Sequence, residues 1–172
     1  MTKMGIVFKY IGCLIILVAS SGIGIHYGEE LKKYLNQLEE LKKLFCLMKC
    51  ELEYVKLPLV ELFERMESKV QQPFESWIGM LRRKLESREY GVFDNIWRET
   101  IEEELRESKL RAEDLEELKN VGKNLEYIDN LNLYIEQLEY KIIDVREAYQ
   151  SKRKLSRTLG IMGGIFLVIL LL

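Results

Sequence analysis

The sequence predicts an all-α protein, an antiparallel helical bundle of about six helices flanked by N- and C-terminal transmembrane helices. Two long runs of apolar residues at heptad spacing indicate helices, and no run of period two bounded by turns indicates a strand. The third observation is segregation of charge. All 28 acidic residues lie between Glu29 and Glu147, which leaves an apolar segment at each end of the chain.

Composition excludes several classes of protein. The net charge of −2 over 172 residues argues against a nucleic-acid-binding protein that relies on neutralising phosphates. Three cysteines and one histidine are too few for paired zinc sites, and the odd cysteine count does not indicate a disulfide framework.

The N-terminal segment is predicted to be a transmembrane helix over residues 1–28. Residues 10–25 carry no charge, and residues 4–27 supply the roughly 20 residues that a bilayer-spanning helix needs. The alternative is a cleavable signal peptide, with Lys3 and Lys9 before an apolar core and Ala19 near a loose cleavage site.

The C-terminal segment, residues 155–172, is predicted to be a second transmembrane helix. It ends in fifteen uncharged residues from Thr158 to Leu172, and basic residues precede them at Lys152, Arg153, Lys154 and Arg157. Such a basic cluster favours the cytoplasmic side of a membrane. The middle, residues 29–154, is therefore predicted to be a cytoplasmic helical bundle domain of a cell-membrane protein.

Small residues at a spacing of four occur in both apolar ends. Gly24 with Gly28, and Gly160 with Gly164, form GxxxG motifs that allow close packing of helices in lipid. The alternative is that glycine is simply frequent in membrane helices.

Two heptad seams bound the charged middle and predict its longest helices. The first has unbroken alternating spacings of three and four and consists of Leu31, Tyr34, Leu38, Leu41, Phe45, Met48, Leu52 and Val55. The second consists of Leu131, Ile135, Leu138, Ile142, Val145 and Tyr149. Because one follows the first membrane segment and the other precedes the second, the two helices are predicted to pack antiparallel.

Shorter helices are predicted between the seams. Pro58 and Pro73 each suit a helix start, and Asp94 is a plausible cap for a third helix. A fourth helix is predicted over residues 112–119, and residues 87–91 are predicted to form a loop.

The residues offer little for catalysis. No glycine-rich phosphate loop is present, and His26, the one imidazole, lies at the edge of the first membrane segment. Cys46 and Cys50 could bind a soft metal with help from another chain, although ordinary surface or packing cysteines are the simpler interpretation. The chain is therefore predicted not to be an enzyme and to use no cofactor, metal or small-molecule substrate.

An acidic segment between Glu99 and Glu117 contains nine acidic residues against three basic ones. One interpretation is a docking surface for a basic cytoplasmic partner. The other is a solvated helix face with i,i+4 ion pairs. The residues of this possible partner surface are Glu102, Glu103, Glu104, Glu113, Asp114, Glu116 and Glu117.

The order of motifs resembles the stage III sporulation protein AB family over nearly the whole chain. The resemblance is carried by the Ser-Gly-Ile-Gly stretch at 21–24, Pro58-Leu59, Pro73-Phe74 with Trp77, the run at 134–139, and Lys-Leu-Ser-Arg-Thr-Leu-Gly at 154–160. One departure is that Leu125 is followed by Glu126 where the family has glycine, and the segment to Asn132 is shorter.

The resemblance implies a membrane protein of endospore-forming bacteria, made in the mother cell. It implies a part in the secretion-like engulfment channel between mother cell and forespore, in the mother-cell membrane. The family is similar to F-type platform proteins of type II secretion, so it implies a platform that couples a cytoplasmic motor ATPase to other subunits and the membrane.

Two other hypotheses remain open. Heptads alone would allow a coiled-coil membrane tether or a membrane-remodelling protein, although a tether needs only the long helices. A membrane enzyme is disfavoured by the missing residue types.

Overall fold

The computed structural model describes residues 28–55, 57–87, 92–125 and 128–171, and within these ranges it contains helices and no strand. Six α-helices occur in the described residues: α1 (28–50), α2 (Leu59–Glu67), α3 (Phe74–Glu86), α4 (Phe93–Glu104), α5 (Ala112–Val121) and α6 (Ile128–Leu171). A π-helical turn, Glu51–Val55, follows α1, and a 3₁₀ turn, Gly122–Asn124, follows α5. The all-α prediction is confirmed.

The chain divides into two compact units. One is Tyr34–Ile143, which contains α2 to α5 with most of α1 and the first part of α6. The other contains the first and last parts of the described chain, residues 28–33 and 144–171. The first unit is shorter than the predicted bundle domain of residues 29–154.

The two long helices of the Tyr34–Ile143 unit pack antiparallel. The Lys42 ammonium lies 3.2 Å from the Glu139 carboxylate, and the rings of Phe45 and Tyr134 meet edge to face with centroids 4.8 Å apart. A later residue of α1 thus meets an earlier residue of α6, which is the geometry of antiparallel helices.

Burial follows most of the predicted seam positions. Leu31, Leu38, Phe45, Leu131, Leu138 and Val145 are all buried. Leu52 is only half-buried and Val55 is exposed, because the chain widens into the π-helical turn and the spacing of three and four no longer follows one face. On α6 the seam uses Tyr134 as a buried position, whereas Ile135 is half-buried.

The short helices begin close to their predicted starts. Pro58 and Pro73 directly precede α2 and α3. The prediction that Asp94 caps α4 is wrong. Val92 occupies the N-cap, and the Asp94 carboxylate lies in the first turn, where it accepts a hydrogen bond from the Arg98 side chain at 3.1 Å. Residues 88–91 of the predicted loop lie outside the described residues.

Two tryptophans form the centre of the short-helix core. Trp77 of α3 and Trp97 of α4 are fully buried and meet edge to face with centroids 4.8 Å apart. The Trp77 indole N–H donates to the Thr100 hydroxyl, and the Trp97 indole N–H donates to the Leu118 carbonyl of α5 at 2.9 Å. Both indole N–H groups therefore have hydrogen-bond acceptors inside the core.

Side chains of α1 hold two connections in place. The Gln37 carboxamide oxygen accepts the backbone N–H of Lys109 at 2.6 Å, after α4. The Glu40 carboxylate accepts the backbone N–H of Gln71 at 2.8 Å, before α3. The polar backbone of these turns is thereby paired by residues that the heptad pattern places beside the seam.

The predicted membrane segments are described in part. Residues 1–27, with Gly24 and His26, lie outside the described residues, whereas Gly28 is helical. Gly160 and Gly164 belong to α6, so the last bundle helix and the predicted C-terminal segment are one continuous helix. Among the residues that the structure describes, no helix combines the length and apolar character required to cross a membrane.

Candidate functional site

The predicted acidic surface maps to the end of α4 and to α5. Glu102, Glu103 and Glu104 occupy the last turn of α4, and Glu113, Asp114, Glu116 and Glu117 lie along α5. Within the described residues, five of these seven carboxylates pair with lysines. The acidic surface therefore contains ion pairs between helices in addition to exposed carboxylates.

Lys119 connects α4 with α5. Its ammonium lies 2.7 Å from Glu116 and 2.9 Å from Glu102. The hydrogen bond with Glu116, followed by that with Glu102, raises the pKa of Lys119, and the same lysine lowers the pKa of Glu116. One ammonium on two carboxylates thus compensates only part of the negative charge at this end of the surface.

Lys84 makes the corresponding link from α3 to α4. Its ammonium lies 3.1 Å from Glu103 and 3.2 Å from Glu99. Desolvation alone would lower the pKa of Lys84, but hydrogen bonds to Glu103 and Glu99 outweigh it and raise that pKa.

Asp114 does not lie on the surface. It is 2% exposed, and its carboxylate faces α1 and α6. It accepts the Arg111 backbone N–H at 2.9 Å, which satisfies one of the free donors at the start of α5. It also accepts the Lys141 ammonium at 2.7 Å and the Tyr34 hydroxyl. A single buried carboxylate thus joins α5 to both long helices.

Two basic groups complete this junction, which we call the Asp114 junction (Tyr34, Arg111, Asp114, Glu117 and Lys141). Lys141 also pairs with Glu117 at 2.8 Å, and the Arg111 guanidinium lies 4.5 Å from the centroid of the Tyr34 ring. Desolvation opposes the charge on Lys141, yet hydrogen bonds to Asp114 and Glu117 outweigh it and raise its pKa.

Tyr134 lies close to the Asp114 junction but is not hydrogen-bonded. Its hydroxyl is buried and has no hydrogen-bond partner among the described residues. Burial, followed by the charges of Glu117 and Asp114, raises the pKa of Tyr134 well above its usual range. Burial and the hydrogen bond to Asp114 do the same for Tyr34.

The remaining predicted surface residues are Glu104 and Glu113. Glu104 is half-buried and Glu113 is exposed, and neither pairs with a cation in the described part of the chain. The arrangement provides charged contacts between helices and a few free carboxylates.

The cysteines do not assemble a metal site in the described residues, where no group of three or more potential ligands occurs. Cys46 is half-buried and Cys50 is exposed, and both thiols are free.

Sequence reasoning missed the lysines that pair with the acidic surface. Only Glu116 and Lys119, three residues apart on one helix, carry a local signal. Lys84 and Lys141 lie 19 and 24 residues from Glu103 and Glu117, their partners in hydrogen bonds. No sequence spacing pairs them, because helix packing brings them together.

The two buried tyrosines are expected to respond oppositely to removal of their hydroxyls. Tyr134→Phe is expected to stabilise the fold by about 1 kcal/mol, since it removes a buried hydroxyl without a partner. Tyr34→Phe is expected to destabilise it by about 2 kcal/mol, since Asp114 loses a donor. Urea unfolding of the full chain, followed by the fluorescence of its two tryptophans, measures both. Equal destabilisation by the two variants would contradict this description.

Stability is expected to fall at alkaline pH. Both tyrosines stay neutral in the fold, whereas unfolded tyrosine ionises near pH 10, so unfolding releases protons above that pH. The ion pairs of Lys141, whose pKa is also raised, contribute fully below about pH 10.4 and are lost as pH rises through its folded pKa. Each tyrosine is expected to cost about 1.4 kcal/mol per pH unit above about 10.

Urea unfolding at pH 8 to 11 measures this loss. Tyr134→Phe is expected to make the alkaline decline less steep, because one of the two ionising groups is absent. An unchanged slope in that variant would show that Tyr134 is not held neutral by the fold.

Comparisons with known proteins agree with the helical architecture. The model of the family described as Stage III sporulation protein AB matches residues 9–172. Stage III sporulation protein AB of Bacillus subtilis (strain 168) is 21% identical over 170 residues, which cover 95% of this chain and 99% of that protein. A solved structure of Stage III sporulation protein AB (SpoIIIAB) aligns with a TM-score of 0.63 at 17% identity, over 69% of this chain and 97% of that one. The chain belongs to the stage III sporulation protein AB family.

Proposed function

We propose that this sporulation protein is a non-enzymatic platform component of the secretion-like channel complex between mother cell and forespore. In this role the helical domain binds a cytoplasmic motor ATPase and other subunits, and the ends of the chain hold the domain at the mother-cell membrane. The structural observation that carries the proposal is the length and continuity of α6.

Continuity of α6 supports mechanical coupling. The helix runs from Ile128 to Leu171 without interruption, which corresponds to about 66 Å at 1.5 Å per residue. Its first part packs in the Tyr34–Ile143 unit, where Tyr134 meets Phe45. A helix transmits displacement along its axis better than a flexible linker does, so movement of the domain would reach the apolar end.

Anchoring rests on the apolar ends. We propose that residues 1–28 and 155–172 are inserted in the membrane, with residues 29–154 on the cytoplasmic side. Fifteen uncharged residues close the chain, and Arg157 and the lysines before it suit the headgroup region. The glycine pairs Gly24–Gly28 and Gly160–Gly164 would allow close approach of the two inserted helices.

Counts of heat-resistant spores test the sporulation role. Deletion of the gene in its spore-forming host is expected to lower the count by orders of magnitude, with arrest after engulfment and normal vegetative growth, and complementation in trans is expected to restore it. Normal spore numbers would refute the proposed function.

A break in α6 tests the coupling separately from anchoring. Gln150→Pro removes a helical hydrogen bond and introduces a clash outside the Tyr34–Ile143 unit, at an exposed position. It is expected to lower spore counts strongly while membrane fractionation and protein level stay unchanged. The matched control, Gln150→Ala, preserves the helix and is expected to sporulate normally. Normal sporulation of the proline variant would exclude coupling through a continuous α6.

A further inference from the structure

The exposed side of α6 carries a second heptad pattern, distinct from the buried seam. Its members, which we call the outer row, are separated by four, three, four and three residues: Asp129, Leu133, Glu136, Tyr140 and Ile143. All five are exposed, and the three large apolar side chains are 55%, 63% and 44% exposed in chain order. Residues at this spacing lie along one stripe of a helix.

Packing of the domain does not require these apolar side chains. The side of α6 that faces the core uses Leu131, Tyr134, Leu138 and Ile142, which are buried. At 100° per residue those positions centre on the side of the helix opposite to the outer row. Three large apolar groups aligned at heptad spacing in water are typical of a surface that another helix covers.

The negative charge of the outer row indicates which side chains a partner helix must carry. Asp129 and Glu136 make no ion pair with a described residue. The nearby cations are occupied, since Lys42 pairs with Glu139 and Lys141 pairs within the Asp114 junction. A covering helix therefore needs cationic side chains to compensate the two carboxylates.

A second copy of this chain fits the outer row poorly. Glu136 is the central residue of the row, seven positions from either end. Pairing two rows in register, parallel or antiparallel, would place Glu136 against Glu136 in an apolar contact. Desolvation and like-charge repulsion both oppose such an arrangement.

We propose that the outer row of α6 docks an amphipathic helix of a partner protein, with leucine-type residues opposite Leu133, Tyr140 and Ile143 and lysine or arginine opposite Asp129 and Glu136. The row spans 15 residues, about 21 Å along the axis, so four turns of partner helix cover it. The inference deepens the proposed function, on which it rests for the assembly that contains the partner.

A synthetic helix tests the docking chemistry. The probe is a fluorescent 21-residue peptide of three heptads, with leucine at a and d, lysine at e and g, and alanine elsewhere. Its anisotropy is titrated with the full chain in neutral detergent micelles, and binding to protein-free micelles is subtracted. Saturable binding that weakens with salt is expected, whereas a peptide with glutamate at e and g is expected not to bind.

Variants of the outer row locate the binding. Leu133→Ser with Tyr140→Ser is expected to raise Kd at least tenfold, and Glu136→Lys at least fivefold with a weaker salt dependence. The control is Tyr54→Ser, because Tyr54 is 79% exposed, belongs to the π-helical turn after α1 and is not part of the outer row, so its loss is expected to leave Kd unchanged. Circular dichroism confirms that each variant is folded.

Three outcomes would overturn the inference: no binding above the micelle background, an unchanged Kd in the double serine variant, or an equal loss in Tyr54→Ser. Disulfide crosslinking of Tyr140→Cys chains to each other, in place of probe binding, would identify a second copy as the occupant. Spore counts are independent of this assay. A chain needed for sporulation that does not bind the probe would refute the docking site alone.

Discussion

Gly122→Ala is expected to destabilise the protein by about 3 kcal/mol, a large effect for adding one methyl group. Gly122 begins the 3₁₀ turn after α5, and a Cβ there would overlap the Trp97 ring. Trp97 is fully buried and donates to the Leu118 carbonyl, so it cannot move aside without losing packing and a hydrogen bond. Urea unfolding followed by circular dichroism at 222 nm measures the loss.

Gly28→Ala is the control for stability of the Tyr34–Ile143 unit, because it makes the same substitution at a helical glycine outside that unit, with no described neighbour within 4 Å of the added Cβ. Alanine favours a helix over glycine by about 1 kcal/mol, so this variant is expected to be neutral or slightly more stable. If both alanines are tolerated equally, contact with Trp97 does not explain the glycine at 122.

Lys141→Ala is also expected to cost about 3 kcal/mol, because it leaves the Asp114 carboxylate buried without its cation. The Tyr34 hydroxyl and the Arg111 backbone N–H remain as donors, but neither supplies a full positive charge at hydrogen-bond distance. Unfolding in urea, measured by tryptophan fluorescence, reports the free-energy change.

Lys119→Ala tests whether the stability cost of losing a lysine depends on burial of its carboxylate partner or on the number of its ion pairs. Lys119 also contacts two carboxylates, yet Glu102 and Glu116 are well exposed and regain water when the lysine is lost. This variant is expected to change stability far less than Lys141→Ala. Adding Asp114→Asn to Lys141→Ala is expected to recover part of the loss, since it removes the buried charge. Equal costs for the two lysines would contradict a special role for the Asp114 junction.

Much of the architecture follows from local rules that sequence makes visible. Heptad spacing predicts α1 and α6 and their main buried positions, such as Phe45 and Leu138, because a helix repeats its facing side every 3.5 to 3.6 residues. Pro58 and Pro73 mark helix starts because proline lacks the N–H that a first turn does not need.

Those local rules do not predict contacts between helices that are far apart in sequence. Asp114 is charged, and a charged side chain is expected on the surface. Only the packing of α1, α5 and α6 shows that its carboxylate is buried beside Tyr34 and Lys141. The end of the first seam was missed because nothing in the residues Glu51–Val55 distinguishes a π-helical turn from an α-helix by spacing. Asp94 suits an N-cap by type, yet its partner is the Arg98 side chain.

Pairing of α1 with α6 also sets an order of folding. Contacts among α2, α3, α4 and α5 join helices that are neighbours in sequence, whereas Phe45 and Tyr134 are separated by nearly ninety residues. Closing so long a loop costs more entropy than closing the short turns, so the tryptophan core is expected to form before the long helices meet. During synthesis on the ribosome, α1 therefore cannot pair with α6 until α6 has emerged. Until then the apolar seam of α1 remains accessible to chaperones. Pulse-labelled hydrogen exchange that protects α1 before α3 and α4 would refute this order.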